Sequence, residues 1–139
     1  MTASLTTATR SAAAQRRLRR ATAIVGATAL NGLLWGAATA LGVDFVLTDS
    51  MGTAAITLPV ALIFTALFGL LGWGTLALLE RLARQRARAI WTGLAIAVAL
   101  LSIVPIFLEG ATSGTRAALT VLHLAVAAVL VPLFRRTSR

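Results

Sequence analysis

Four long apolar runs divide this chain, and a short polar or basic stretch bounds each of them: about residues 21–41, 56–79, 90–108 and 118–134. An α-helix rises about 1.5 Å per residue, so the first run spans about 31 Å against a hydrocarbon core of about 30 Å. The pattern predicts an all-α integral membrane protein whose four transmembrane helices form an antiparallel bundle of two hairpins. Each run also carries small or weakly polar residues at helical spacing. In the first these are Thr28, Gly32, Gly36 and Ala40, including a GLLWG match to the GxxxG pattern. The second has Thr65, Gly69, Gly72 and Thr75, the third Thr92, Ala95, Ala99 and Ser102, and the fourth Thr120, His123 and Ala127. Lipid tails are as apolar as leucine, so helices associate in a bilayer by close packing, with small residues at the contacts. The expectation is that the four stripes turn inward, with Thr28, Gly32, Gly36, Ala40, Gly69 and Gly72 as packing positions. For GLLWG a homodimer face is the other reading, with packing inside the bundle preferred.

The segments between the runs are short. Gly42 to Ala55 holds Asp44, Asp49, Ser50 and Gly52, residue types that favour turns. Its VDFVL piece reads either as a strand or as an interfacial segment with Phe45 in lipid. Pro59 falls in the first turn of the second helix, where a missing N–H costs little. Pro105 lies inside the third run and is expected to kink it, freeing the carbonyl of Leu101. Glu80 closes the second run, one turn before Arg84 and in reach of it. Glu109 to Ala117 forms the second short loop on the outer side. Trp91 is expected at the inner membrane interface.

Charge then orients the bundle. All 13 cationic side chains are arginines: five precede the first run, four lie in ERLARQRAR (Glu80 to Arg88), three end the chain, and one, Arg116, lies in an outer loop. Basic residues concentrate on the cytoplasmic side of membrane proteins, so both termini are expected there. Residues 1–20 read as a basic flexible cytoplasmic tail, 21–134 as the membrane domain and 135–139 as a second basic tail. A basic start before an apolar run also resembles a signal peptide, with ATA at Ala38 to Ala40 as a cleavage site. The run is longer than the usual 7–15 residues and a second follows, so a retained anchor is the preferred reading. The net charge of +9 sits at the ends of apolar segments. Its partners are therefore expected to be anionic lipid headgroups, not nucleic acid. Arg16, Arg17, Arg19, Arg20, Arg81, Arg84, Arg86, Arg88, Arg135 and Arg136 are assigned to topology and headgroup contact. The expected location is a bacterial cytoplasmic membrane, crossed several times.

Candidate chemistry is sparse. With no cysteine, disulfides and thiolate chemistry are excluded. Within the runs His123 is the one ionisable residue, which makes it the default candidate for a site. Counted from the cytoplasmic ends of their runs, Asn31, His123 and Ser102 fall within about 3 Å of one another in depth. Each lies on its small-residue stripe, so the three form a candidate polar cluster near the midplane. Its functional reading is a site for a proton, ion or small ligand. Its structural reading, which is preferred, is a neutral His123 hydrogen-bonded to Asn31, Ser102 or a backbone carbonyl to set helix register. One histidine without a nearby acid builds no metal site. No cofactor is expected, and no base and nucleophile pair suggests an enzyme. The acids Asp44, Asp49, Glu80 and Glu109 all sit in loops or at helix ends.

The stretches ATALNGLLW (Ala27 to Trp35), LGVDF (Leu41 to Phe45), ITLP (Ile56 to Pro59), LLGWGTLALLER (Leu70 to Arg81) and HLAVAAVLVP (His123 to Pro132) carry a further signal. With them the chain resembles a family of small membrane proteins, found chiefly in actinobacteria and known as domain of unknown function 6069. The resemblance covers nearly the whole chain after Arg20. It implies four transmembrane helices and supplies no catalytic residue to carry over. The functional expectation is a non-enzymatic packing, accessory or interaction component that associates with itself or with another membrane protein. The alternative is a small transporter or channel-like protein that uses Asn31, Ser102 and His123.

Overall fold

The computed structural model describes residues 2–108 and 110–138, with side chains described from Ser11 onward. Glu109 and Arg139 lie outside the described residues. The chain forms α1 (Thr2–Ala40), a hairpin of β1 (Val46–Asp49) and β2 (Gly52–Ala55), then α2 (Leu58–Leu82), α3 (Ala87–Leu101), the short α4 (Val104–Leu108) and α5 (Ser113–Thr137). Among the described residues four segments are long and apolar enough to cross a membrane: Ser11–Ala40, Leu58–Leu82, Ala87–Leu108 and Ser113–Thr137. The protein is thus an all-α membrane protein with four spans. The basic stretch expected as a flexible tail is helical from Thr2 and continuous with the first span. From Ala12 to Arg20 the residues explain this, since alanine, arginine, leucine and glutamine favour helix, and no glycine or proline occurs before Gly26.

α1 packs chiefly against α5 and α2, while α3 packs against α2 and α5. α2 and α5 also meet across the middle, which leaves α1 and α3 on opposite sides of the bundle. At the basic end, where the α2–α3 loop and the end of α5 lie, Ala23, Ile24, Leu76, Trp91 and Phe134 form one apolar cluster. Trp91, expected at the inner membrane interface, is buried there against Phe134 (centroids 5.5 Å apart), and its indole N–H donates to the carbonyl of Gly72 at 2.8 Å. At the hairpin end, Phe45, Ile106, Leu119 and Leu122 form a second cluster.

Local chemistry sets the boundaries. α1 closes with two backbone bonds, Gly42 N–H to Thr39 O at 2.9 Å and Val43 N–H to Ala38 O at 3.1 Å. Gly42 sits at φ +89°, the left-handed conformation that this helix stop requires and that glycine adopts without a Cβ penalty. The third span breaks at Ser102 and Ile103, leaving Pro105 in the first turn of α4, where proline's missing N–H is tolerated.

VDFVL supplies a strand. The Asp49 carboxylate accepts from Met51 N–H (2.7 Å) and Gly52 N–H (3.1 Å), which shapes the turn of the hairpin. Phe45 is 1% exposed and stacks on Trp35 with ring centroids 5.6 Å apart, so it points into the bundle and away from lipid. Its φ of +51° is uncommon for a bulky residue and is held by that packing. Thr48 and Gly110 exchange backbone hydrogen bonds of 2.8 and 2.7 Å, which joins the hairpin to the loop that precedes α5.

Candidate functional site

The three polar residues expected to meet near the midplane have separate partners. Asn31, 6% exposed, donates its Nδ2–H to Thr65 Oγ1 at 2.7 Å, linking α1 to α2. Thr65 in turn donates to the carbonyl of Ala61 at 2.7 Å. His123 Nδ1 lies 2.8 Å from the carbonyl of Leu119, one turn earlier in α5. A carbonyl only accepts, so Nδ1 carries the proton and a neutral ring presents its lone pair at Nε2. Ser102 donates to the carbonyl of Ala99 at 2.8 Å. Among the described residues no hydrogen bond joins any two of Asn31, Ser102 and His123. Equal depth does not bring residues together when they lie at different angles around the bundle, and α1 and α3 are on opposite sides. The Oδ1 of Asn31 and the Oγ1 of Thr28 are buried without a hydrogen-bond partner. They lie one helical turn apart. No group of three or more metal-ligating side chains occurs among the described residues.

Two polar connections outside this level hold the ends of the bundle. At the basic end the Arg20 guanidinium binds Glu80 in two-pronged fashion, at 2.7 and 3.2 Å, and reaches the Thr137 hydroxyl at 3.1 Å and its carbonyl at 2.9 Å. One side chain thereby ties α1, α2 and α5 together. Arg20, expected among the headgroups, is buried, with its side chain 6% exposed. Glu80, expected to pair with Arg84, has its carboxylate taken up by Arg20. The signal was present in the spacing: Arg20, Ile24, Ala27 and Asn31 fall at steps of four, three and four and so share the inward face of α1. The other headgroup candidates Arg16, Arg17, Arg19, Arg81, Arg84, Arg86, Arg88, Arg135 and Arg136 are exposed or half-exposed.

At the hairpin end, the buried hydroxyl of Thr115 donates to Asp44 Oδ1 at 2.7 Å. Thr112 caps α5 by accepting from Thr115 N–H at 3.1 Å. The Thr115 hydroxyl, with help from the Val46 N–H, holds the Asp44 carboxyl below its ordinary value.

The small-residue positions separate into two groups. A Cβ added at Gly32 would meet the Leu62 side chain of α2 at 3.1 Å, and one at Gly69 would meet Ile24 of α1 at 3.1 Å. Gly72 faces Phe134 and Trp91. Thr28 is half-buried, but Gly36 and Ala40 are exposed, and a Cβ on Gly36 would meet nothing within 4 Å. These two depart from the expected inward stripe for a geometric reason. Four residues advance about 400° around a helix, so a fourfold stripe drifts by about 40° at each step and leaves the interface within three steps. The outward face that Gly36 and Ala40 join also carries Thr22, Val25, Gly26, Ala29, Leu33 and Ala37. It is built mostly of small side chains around Val25 and Leu33. The outward faces of α2 and α3 also hold an open glycine each, Gly74 and Gly93, but set it among large residues such as Ile63, Phe64, Phe68, Ile96 and Leu101. The span in α1 is accordingly the least hydrophobic of the four, with mean hydropathy 1.3 against 2.0 to 2.3 for the others.

A family model described as "Family of unknown function (DUF6069)" matches residues 11–139. No curated protein and no solved structure matches the chain.

Proposed function

We propose that this chain, which belongs to the DUF6069 family, is a non-enzymatic interaction component of the bacterial cytoplasmic membrane, with both termini on the cytoplasmic side. It works by presenting the outer face of α1 to a second copy of itself. The observation that carries this reading is the open, small-residue face of α1, which has Gly26 and Gly36 in empty space and Leu33 standing between them. Lipid gains nothing from hollows in a helix surface, whereas a facing helix fills them and gains close packing. A face with both a projection and hollows suits pairing with its own copy across a two-fold axis, where each projection meets a hollow of the other chain.

Single cysteines test this directly, because the chain has none of its own. In native membranes a cysteine at Ala29 or Gly36 is expected to crosslink to a second copy, and one at Phe68 or Leu101 is not. Equal crosslinking at all four positions, or none at Ala29 and Gly36, contradicts the proposal.

A second reading rests on the oxygens of Asn31 and Thr28, which are buried without a hydrogen-bond partner. It makes the protein a small transporter or channel-like protein, with Asn31, Ser102 and His123 as polar stations. Proton or ion flux through reconstituted vesicles that is abolished by Asn31→Leu would favour it. Unchanged flux in that variant would remove it.

A further inference from the structure

The basic end carries an arrangement that neither the Arg20–Glu80 pair nor the α1 face uses. A groove runs between the start of α3 and the end of α5, with Arg88, Arg135 and Arg136 along its rim and Val131 and Pro132 in its wall. It continues along α3 past Thr92, Gly93 and Ile96, with Arg88 and Arg135 shared by both parts. Gly93 leaves the space beside α3 open, since a Cβ built there would meet nothing within 4 Å.

One cation of this groove, Arg88, is held in place by hydrogen bonds. Arg88 donates its Nε–H to Ser138 Oγ at 3.1 Å, and Ser138 donates to the carbonyl of Arg135 at 2.7 Å. That chain of bonds fixes the Arg88 guanidinium beside the last turn of α5. Its two terminal nitrogens have no hydrogen bond to any described residue. No carboxylate among the described residues pairs with Arg88, Arg135 or Arg136, and the nearby Glu80 is engaged by Arg20. A planar guanidinium matches the oxygens of a phosphate in two-pronged geometry. The apolar wall beneath the arginines continues in the direction of the membrane interior.

We propose that this α3–α5 groove is a binding site for an acidic glycerophospholipid. Arg88, Arg135 and Arg136 take the phosphodiester headgroup, and an acyl chain lies along Gly93, Ile96 and Val131. Basic pockets between helices at the cytoplasmic face suit such headgroups. A lipid is chosen over a free phosphate because the charged rim and the apolar wall are parts of one groove.

The test is binding by the full-length protein in neutral detergent, read by native mass spectrometry. The probes are short-chain phosphatidylglycerol, short-chain phosphatidylcholine and glycerol phosphate, which has the headgroup charge but no chains. Phosphatidylglycerol is expected to bind at least about tenfold more tightly than either of the others. Arg88→Gln with Arg135→Gln is expected to abolish that preference, while Arg81→Gln with Arg84→Gln, equal in charge and outside the groove, keeps it. Ser138→Ala retains all three arginines and releases Arg88, and is expected to lower the affinity severalfold; it carries the test if the double variant does not fold. Equal loss in the two double variants would reduce the effect to diffuse charge and overturn the site. Binding of glycerol phosphate as tightly as the lipid would assign the groove to free phosphate. Unchanged affinity in Ser138→Ala would remove the role of the held Arg88.

Discussion

Arg20 of α1 and Glu80 of α2 stand 60 positions apart in the sequence and meet in a two-pronged ion pair whose shorter contact is 2.7 Å. The pair is nearly enclosed, so each charge replaces part of the solvation that the other has lost. Removing one partner of a buried pair leaves an uncompensated charge, which costs about 3–5 kcal/mol, whereas an apolar replacement of both is often neutral. Glu80→Ala is therefore expected to lower unfolding stability strongly, and Arg20→Met with Glu80→Leu to recover most of the loss. Denaturation of the purified protein in micelles checks this. Additive losses in the double variant would contradict it.

Asn31 and Thr65 link α1 and α2 within their spans through one hydrogen bond of 2.7 Å. Such bonds between membrane helices contribute about 0.6–2 kcal/mol. Thr65→Val is expected to cost stability within that range, and Asn31→Ala to cost no more. A double-mutant cycle on the two positions should return a coupling energy of the same size, and a cycle with no coupling would show that the bond contributes nothing.

Gly69 and Gly74 lie in the same helix but differ in what surrounds them. An added methyl group meets Ile24 at 3.1 Å at Gly69 and open space at Gly74. Overpacking costs about 1–3 kcal/mol where neighbours are fixed. Gly69→Ala is expected to lower the melting temperature and Gly74→Ala to leave it unchanged or raised. The same shift in both would mean that α1 and α2 are not in this register.

Asp44 gives the hairpin end a pH dependence of known sign. Its carboxyl is held below the ordinary value of 3.8, chiefly by the Thr115 hydroxyl, so the bond favours the ionised form. A lowered carboxyl contributes stability at neutral pH that is lost as the pH falls through its folded-state value. Amide exchange at the start of α5 is expected to quicken below a pH of about 3.8 relative to the middle of the helix. Asp44→Asn should show the faster exchange already at neutral pH. A profile identical in wild type and variant would contradict the assignment.

The four spans were legible because lipid leaves the backbone few options: each crossing segment must satisfy its own hydrogen bonds, and apolar length then marks it. The stop at Gly42 and the break before Pro105 follow from backbone chemistry that sequence carries locally. Angular position was harder to read. Gly36 and Ala40 looked like inward residues because a spacing of four resembles the helical repeat over one step but drifts over three. Arg20 and Trp91 looked like interface residues because their types are common there, yet a partner 60 positions away in one case, and a glycine carbonyl in the other, made burial favourable. Phe45 and Thr115 take their roles from contacts between the hairpin and α5 that no local pattern encodes. Asn31, Ser102 and His123 shared a depth but not a meeting point, since depth follows from counting residues and direction follows from packing.

The association of α1 with a second copy is the central claim, and native mass of the protein extracted gently from its own membrane tests it most directly. The account predicts a mass of twice the 14.4 kDa chain, plus any retained lipid. It also predicts that Gly26→Leu with Gly36→Leu, which fills the hollows of the outer face, returns the protein to a single chain. A single chain in the wild type would contradict the account, as would a dimer that survives both substitutions. A complex with a different subunit and no second copy would contradict it as well.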